Sequence, residues 1–121
     1  MNYESCTALS STSQPGVTYS IRRMSLDRRV ELTKRLRDLF QRIEFLQAGG
    51  DPKESMEAAL LANQIEREYL LWGLFEVRGL EIDGQPATPE SLAAAGPEEL
   101  CREIVAAIKA ESGLTETERK N

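Results

Sequence analysis

Apolar and polar positions alternate over two short stretches of this chain. Val17, Tyr19 and Ile21 are separated by polar residues, which is the period-2 pattern of a strand with one buried face. An isolated strand is marginally stable and needs a partner. Leu80 and Ile82, which alternate with acidic residues, provide the other candidate. The pattern therefore predicts a small two-stranded β-ribbon.

Helical periodicity begins soon after the first of these stretches. Apolar residues recur at alternating steps of four and three residues and so form one stripe, Leu32, Leu36, Leu39, Ile43 and Leu46. Ser25 is placed as an N-cap, since its hydroxyl can accept a hydrogen bond from a first-turn amide. Glycine adopts the left-handed conformation of a C-terminal cap without strain, so Gly49 and Gly50 end the segment. We predict a first helix over roughly residues 25–48.

A second helix is predicted to begin directly after this glycine pair. Asp51 is placed as its N-cap, and Pro52 occupies the first turn, where proline's missing N–H is harmless. The buried stripe that follows is Ala58, Leu61, Ile65, Tyr69 and Trp72. We place the end of this helix at Arg78, with Gly79 as its left-handed cap. The very short turn between the helices favours antiparallel neighbours, so we predict an αα-hairpin.

Two further helices are predicted in the C-terminal third of the chain. Thr88 and Pro89 begin a very short one, and Pro97 begins a third full helix that Gly113 ends. The core stripe of that third full helix is Leu100, Ile104, Ala107 and Ile108. The fold class is therefore mainly α. We expect one domain over residues 17–114, a flexible, disordered Ser/Thr-rich N-terminal arm over 1–16 and a polar C-terminal tail over 115–121.

Charge is distributed unevenly along the 121 residues, whose formal net charge is −5. Residues 1–42 hold eight basic and four acidic side chains, whereas residues 43–121 hold seven basic and sixteen acidic ones. The basic side chains near the first helix are Arg22, Arg23, Arg28, Arg29, Lys34, Arg35, Arg37 and Arg42. One interpretation is a solvated face that is paired internally and meets an acidic partner or the acidic half of another copy. The alternative is nucleic-acid binding, which the acidic balance of the whole chain makes unlikely.

The chain lacks the residues and motifs of common catalytic sites. It contains no histidine, no phosphate-cradling glycine loop and no nucleophile elbow. Cys6 and Cys101 are too few for a four-ligand zinc site, so we expect two free thiols. We therefore predict a protein that is not an enzyme and needs no metal or cofactor. No apolar run approaches the length of a membrane helix and no targeting signal is evident, which favours a cytoplasmic protein.

The apolar end of the second helix allows two interpretations. Trp72, Phe75 and the neighbouring leucines form the core if the helix lies between the first helix and the helix that begins at Pro97. Part of this surface stays exposed if a chain of this size does not cover it fully. An exposed surface of this kind serves self-association or binds an apolar helix of a client protein.

Four short segments of residues 69–121 carry a resemblance to known proteins. They are Trp72-Gly73-Leu74, the run from Gly79 to Thr88, Gly96-Pro97-Glu98-Glu99-Leu100, and Gly113-Leu114-Thr115-Glu116 with Glu118-Arg119-Lys120-Asn121. Together they look like uncharacterised proteins of bacteriophages and prophages. Among characterised families, the segment is most similar to the tail assembly chaperones of long-tailed phages, which are small, acidic and mainly helical.

The resemblance implies a non-catalytic role in the host cytoplasm during virion assembly. Chaperones of this type bind the helical tape-measure protein, keep its apolar stripes from aggregating and help recruit tail-tube subunits. We predict that the apolar contact residues are Leu70, Trp72, Leu74 and Phe75. The basic face of the first helix, represented by Arg28 and Arg35, is predicted to meet an acidic client. The alternatives are a small structural virion component, such as a connector or tail protein, and a nucleic-acid-binding regulator that uses the basic helix.

Overall fold

The computed structural model describes residues 1–113, which form four helices and five short strands. In chain order they are β1 (Cys6–Ser10), β2 (Thr18–Arg22), α1 (Leu26–Gly49), α2 (Pro52–Gly73), β3 (Leu74–Arg78), β4 (Glu81–Ile82), β5 (Gln85–Pro86), α3 (Pro89–Ala95) and α4 (Glu98–Ser112). The mainly helical fold class is confirmed. The predicted polar tail over residues 115–121 lies outside the described residues.

Local sequence signals fix the ends of the helices. Ser25 accepts a hydrogen bond from the backbone N–H of Arg28, and Gly50 adopts a φ of 74° at the end of α1. Asp51 then accepts from the N–H of Lys53 at 2.8 Å and caps α2. The two helices pack against each other along their length. The prediction of an αα-hairpin over these residues is therefore confirmed.

The second helix is shorter than predicted, and its last segment is a strand. α2 ends at Gly73, and β3 pairs antiparallel with β2 through Tyr19↔Val77 and Ile21↔Leu74. The predicted pairing of the first strand with the segment around Leu80 is therefore wrong. Leu80 precedes a separate two-residue strand, β4, which pairs with β5. Pairing along β2 provides backbone hydrogen bonds and core contacts that the helical pattern of this apolar run does not reveal.

The prediction of a disordered N-terminal arm over residues 1–16 is wrong. Within this segment, β1 is the edge strand of a three-stranded antiparallel sheet with the order β1-β2-β3. Its register with β2 runs from Cys6↔Arg22 to Ser10↔Thr18. β1 is largely exposed because it lies at the edge of the sheet, so its sequence carries no alternation of buried and exposed positions that would predict a strand.

Most buried apolar side chains form one cluster between the sheet and the helices. α1 contributes Leu32 and Leu36, and β2 contributes Tyr19 and Ile21. α2 contributes mainly its C-terminal half, from Ile65 onward, and α4 contributes a full stripe, Leu100, Ile104, Val105 and Ile108. We call this part of the molecule the base.

The distal part of the hairpin, residues 38–60, has a different environment. We call it the arm. Of its side chains, only that of Ala58 is buried, and Phe45, Met56 and Leu60 are exposed. The predicted stripe of α1 is therefore fully buried at Leu32 and Leu36 but only half-buried further along, at Leu39, Ile43 and Leu46.

Candidate protein-binding site

Basic and apolar side chains meet in a depression where β2, α1 and α2 join. We call it the arginine pocket, and its volume is about 230 Å³. It is lined by Arg22, Arg28, Glu31, Arg35, Leu71 and Trp72. Arg28 and Arg35 lie seven residues apart on α1, so helical spacing places them on the same face. The pocket thus unites two basic residues that the sequence predicted as contact groups.

Arg28 has a structural role within this pocket. Its Nη1 donates to the backbone oxygen of Ser5 at 2.7 Å and to that of Arg23 at 2.8 Å. These bonds hold the segments before β1 and after β2 against the first turn of α1. Replacing Arg28 therefore changes the fold of the base as well as the charge of the pocket.

The other two arginines are held by side chains and not by the backbone. Arg35 forms ion pairs with Glu31 at 3.2 Å and with Glu68 at 3.6 Å. The guanidinium carbon of Arg22 lies 5.3 Å from the centroid of the Phe75 ring, within the range of a cation–π interaction. Three guanidinium groups and one carboxylate line the pocket, so its local charge is positive. Such a site favours a ligand carboxylate, which arginine can bind with two parallel hydrogen bonds.

The predicted apolar contact residues divide into two groups. Leu70, Trp72 and Leu74 are only 2–5% exposed and belong to the core of the base. Phe75 is 51% exposed and lies beside Arg22 at the rim of the pocket. The core interpretation therefore applies to Trp72, although one edge of it lines the pocket, and Phe75 is the member of this set that presents a surface.

Sequence reasoning did not assign three residues of the pocket to a site, and these are Arg22, Glu31 and Leu71. Arg22 meets Phe75 only because β2 pairs with β3. The sequence assigned Phe75 to a helix, so no local pattern connected these two side chains. The run of apolar residues around Leu71 did indicate that α2 has more than one covered side.

A carboxylate on α4 organises the loop between β1 and β2. Glu103 Oε1 accepts from the N–H of Ser13 at 2.9 Å, from the Ser11 hydroxyl at 3.1 Å and from the N–H of Thr12 at 3.2 Å. Partial burial raises the pKa of Glu103, but these hydrogen bonds outweigh it and hold the pKa below its ordinary value. Burial, followed by the negative charge of Glu103, raises the pKa of Tyr19. This network fastens the edge strand to the base.

The cysteine of α4 resembles a core side chain more than a reactive thiol. Burial and then the charge of Glu98 raise the pKa of Cys101, and its Sγ donates to the backbone oxygen of Leu92 at 3.4 Å. Burial and the nearby negative charge both disfavour the thiolate form of Cys101.

Across residues 1–113, no three His, Cys, Asp or Glu side chains are grouped so as to hold a metal ion. None of the helices in this part of the chain has the length and apolar character to cross a membrane.

Comparison of the chain with protein families, curated proteins and solved structures finds no match. The segments on which the expected resemblance to phage proteins is based lie at element boundaries. Trp72-Gly73-Leu74 spans the junction of α2 and β3, and the run from Gly79 to Thr88 contains β4, β5 and the N-cap of α3. The run from Gly96 to Leu100 begins α4, and the residues after Gly113 lie outside the described residues.

Proposed function

We propose that this protein is a non-catalytic tail assembly chaperone that binds a helical client, the tape-measure protein, in the host cytoplasm during virion assembly. The observation that carries the proposal is the arginine pocket with exposed Phe75 at its rim. The resemblance of residues 69–121 to proteins of long-tailed phages supplies the class of client.

The chemistry of the pocket suggests what the client presents. An acidic side chain enters among the guanidinium groups, and an apolar side chain one turn away on the client helix covers Phe75. Arg35 exchanges its ion pair with Glu31 for one with the client. Because Arg22 already stacks on Phe75, the charged and apolar parts of the site are adjacent and recognise one amphipathic segment.

The exposed arm favours a second candidate, a small structural virion component such as a connector or tail protein. Phe45, Met56 and Leu60 are the kind of side chains that permanent assemblies cover. The location of the protein separates the two candidates. A chaperone is absent from purified virions, whereas a structural component is present at a fixed copy number.

Nucleic-acid binding finds less support in the contacts of the basic residues. Arg28 bonds two backbone oxygens, Arg35 pairs with two glutamates, and Arg29 Nη2 donates to the backbone oxygen of Ser112 at 3.3 Å. Such groups are engaged within the chain and do not form a free row of phosphate contacts. This agrees with the internally paired interpretation of the basic face.

Co-expression with a tape-measure protein encoded in the same genome tests the proposal. The tagged protein is purified by affinity, and the captured tape-measure protein is quantified. The variant Arg22→Glu with Phe75→Ala is expected to lower capture at least about tenfold, because it removes both halves of the recognition site. The control is Lys34→Glu with Leu26→Ala, which makes the same change of charge and truncates an apolar side chain at exposed positions outside the pocket.

Circular dichroism on both double variants checks that the helices are intact. Equal capture by the pocket variant and the control contradicts the proposed site. Absence of capture by the wild-type protein contradicts the proposed client. Trp72→Ala is unsuitable for this test, because Trp72 is a core residue of the base.

A further inference from the structure

The arm presents an apolar face that the base does not cover. Phe45 and Met56 are 76% and 75% exposed. Beside Phe45, an open groove of about 730 Å³ runs between α1 and α2. It is lined by Asp38, Gln41, Arg42, Phe45, Leu46 and Glu57. Exposure of such apolar side chains to water is unfavourable, and packing of another apolar surface on them removes it.

The groove and the arginine pocket lie on the same face of the hairpin. Arg35 lines the pocket, and Arg42, seven residues further along α1, lines the groove. A spacing of seven residues corresponds to about two helical turns, so both side chains point in similar directions. One continuous face therefore extends from Phe75 at the base to Phe45 on the arm.

The two ends of this face carry opposite charge. At the base, the pocket has three arginines and one glutamate. At the arm, the groove is lined by Asp38, Glu57 and Arg42, for a net charge of −1. Glu57 is the tip carboxylate that lines the groove. The face is thus complementary to a copy of itself turned end for end.

We propose that a second copy of this chain covers the face, in an antiparallel dimer with two-fold symmetry. In this arrangement the tip of each arm lies against the arginine pocket of the other copy. A pairing that puts Glu57 of one copy beside Arg35 of the second also puts Arg35 of the first beside Glu57 of the second. The apolar side chains of the arm, Phe45 and Leu60, cover Leu71 and Phe75 of the other copy.

The size of the face agrees with such a dimer. Two adjacent helices of this length present a surface about 33 Å long and about 20 Å wide. This corresponds to an area on the order of 700 Å², close to the roughly 800 Å² that each partner of a standard interface buries. The arm alone is too short for that area, so the dimer requires the pocket end of the face as well.

The second copy and the proposed client compete for the arginine pocket. The inference does not rest on the client, because its primary measurement is the mass of the protein alone. In light scattering coupled to size exclusion, the wild-type protein is expected at twice its chain mass of 13.5 kDa. Glu57→Arg makes the groove lining basic like the pocket, and Arg35→Glu makes the pocket lining neutral, so each variant removes the opposite charge of the two ends. Each variant alone is therefore expected at the mass of one chain.

Mixing the two variants provides the decisive measurement. The arginine introduced by Glu57→Arg meets the glutamate introduced by Arg35→Glu, and the reverse contact pairs a native tip with a native pocket. The mixture is therefore expected to regain the dimer mass. The controls are Glu111→Arg and Lys34→Glu, exposed positions outside the pocket and the groove, and each is expected to stay dimeric.

Three results overturn the inference. The first is a wild-type protein that stays at the mass of one chain at its highest soluble concentration. The second is single variants that dimerise like the wild type. The third is a mixture of folded variants that stays monomeric. If Arg35→Glu loses its helical circular-dichroism signal, Arg22→Glu replaces it as the pocket variant. Glu57→Arg leaves the pocket intact, so loss of the dimer with retained capture of the tape-measure protein separates this inference from the proposed function.

Discussion

The arm and the base are built from the same two helices but differ in what lies beside them. In the base, the C-terminal half of α2 packs against α1, α4 and β3, and its Ile65, Tyr69 and Trp72 are buried. In the arm, the same helix packs on α1, and Met56 and Leu60 are exposed. Two helices alone bury one seam between them, whereas an additional layer covers a second side. The comparison indicates that the base provides stability and the arm provides surface.

The largest expected difference between the two regions comes from removing one large aromatic side chain from each. Trp72→Ala in the base is expected to cost about 3–5 kcal/mol in the free energy of unfolding, because it opens a cavity in a packed core. Phe45→Ala in the arm is expected to change it by at most about 0.5 kcal/mol, because the ring is already exposed. Urea unfolding of both variants measures these free energies.

Both substitutions are best made in the Glu57→Arg background, so that self-association contributes to neither measurement. Similar losses for the two variants would mean that the arm is packed as tightly as the base. A small loss for Trp72→Ala would show that its burial is not the source of the stability of the base.

Features that depend on residues close together in the chain, such as helix caps and apolar stripes, could be predicted from the sequence. The caps at Ser25, Asp51 and Thr88 each act over two or three residues, and all are present in the structure. The buried stripe of α2 was also predicted, since it follows helical spacing. Arg28 and Arg35 were identified as basic neighbours for the same reason.

The features that depend on distant parts of the chain could not be predicted in this way. The run from Leu74 to Arg78 continues a helical apolar pattern and becomes a strand only because β2 offers an edge. β1 has the composition of a linker, and its order comes from pairing with β2 and from Glu103 on α4. The contact of Arg22 with Phe75 follows from the same sheet, so the rim of the site was missed together with β3.

A smaller effect is expected where the edge strand is fastened to the base. Glu103→Gln keeps the size of the side chain but replaces one acceptor oxygen with an amide that cannot accept from the loop. We expect a loss of about 1 kcal/mol in the free energy of unfolding near neutral pH, because hydrogen bonds to a charged acceptor are replaced by weaker ones. Glu99→Gln, an exposed position on the same helix, is the control and is expected to change stability little.

The pH dependence of this loss follows from the lowered pKa of Glu103. In the folded state this carboxyl binds a proton less readily than in the unfolded chain, so its ionised form favours folding. The contribution is present above the ordinary pKa of about 4.5 and is lost as the pH falls through the lower pKa of the folded state. Urea unfolding of wild type and Glu103→Gln should therefore converge in acid. A difference that persists unchanged at low pH would assign the effect to packing.

Both regions use a helix N-cap, so the same kind of substitution can be compared in each. Thr88→Ala removes the acceptor for the N–H of Ser91 at 3.0 Å, and Asp51→Ala removes the acceptor for the N–H of Lys53 at 2.8 Å. Each cap is worth about 1 kcal/mol. α3 contributes Leu92 to the core of the base, so loss of its cap is expected to appear in global unfolding.

The cap of α2 lies at the tip of the arm, where opening does not expose the core of the base. Asp51→Ala is therefore expected to raise amide hydrogen exchange near the arm tip about fivefold and to change global stability less than Thr88→Ala does. Hydrogen-exchange mass spectrometry combined with urea unfolding distinguishes the two effects. If Asp51→Ala lowers global stability as much as Thr88→Ala, the arm and the base unfold as one unit. If exchange changes only at the tip, the arm opens independently of the base, as a surface adapted to partners requires.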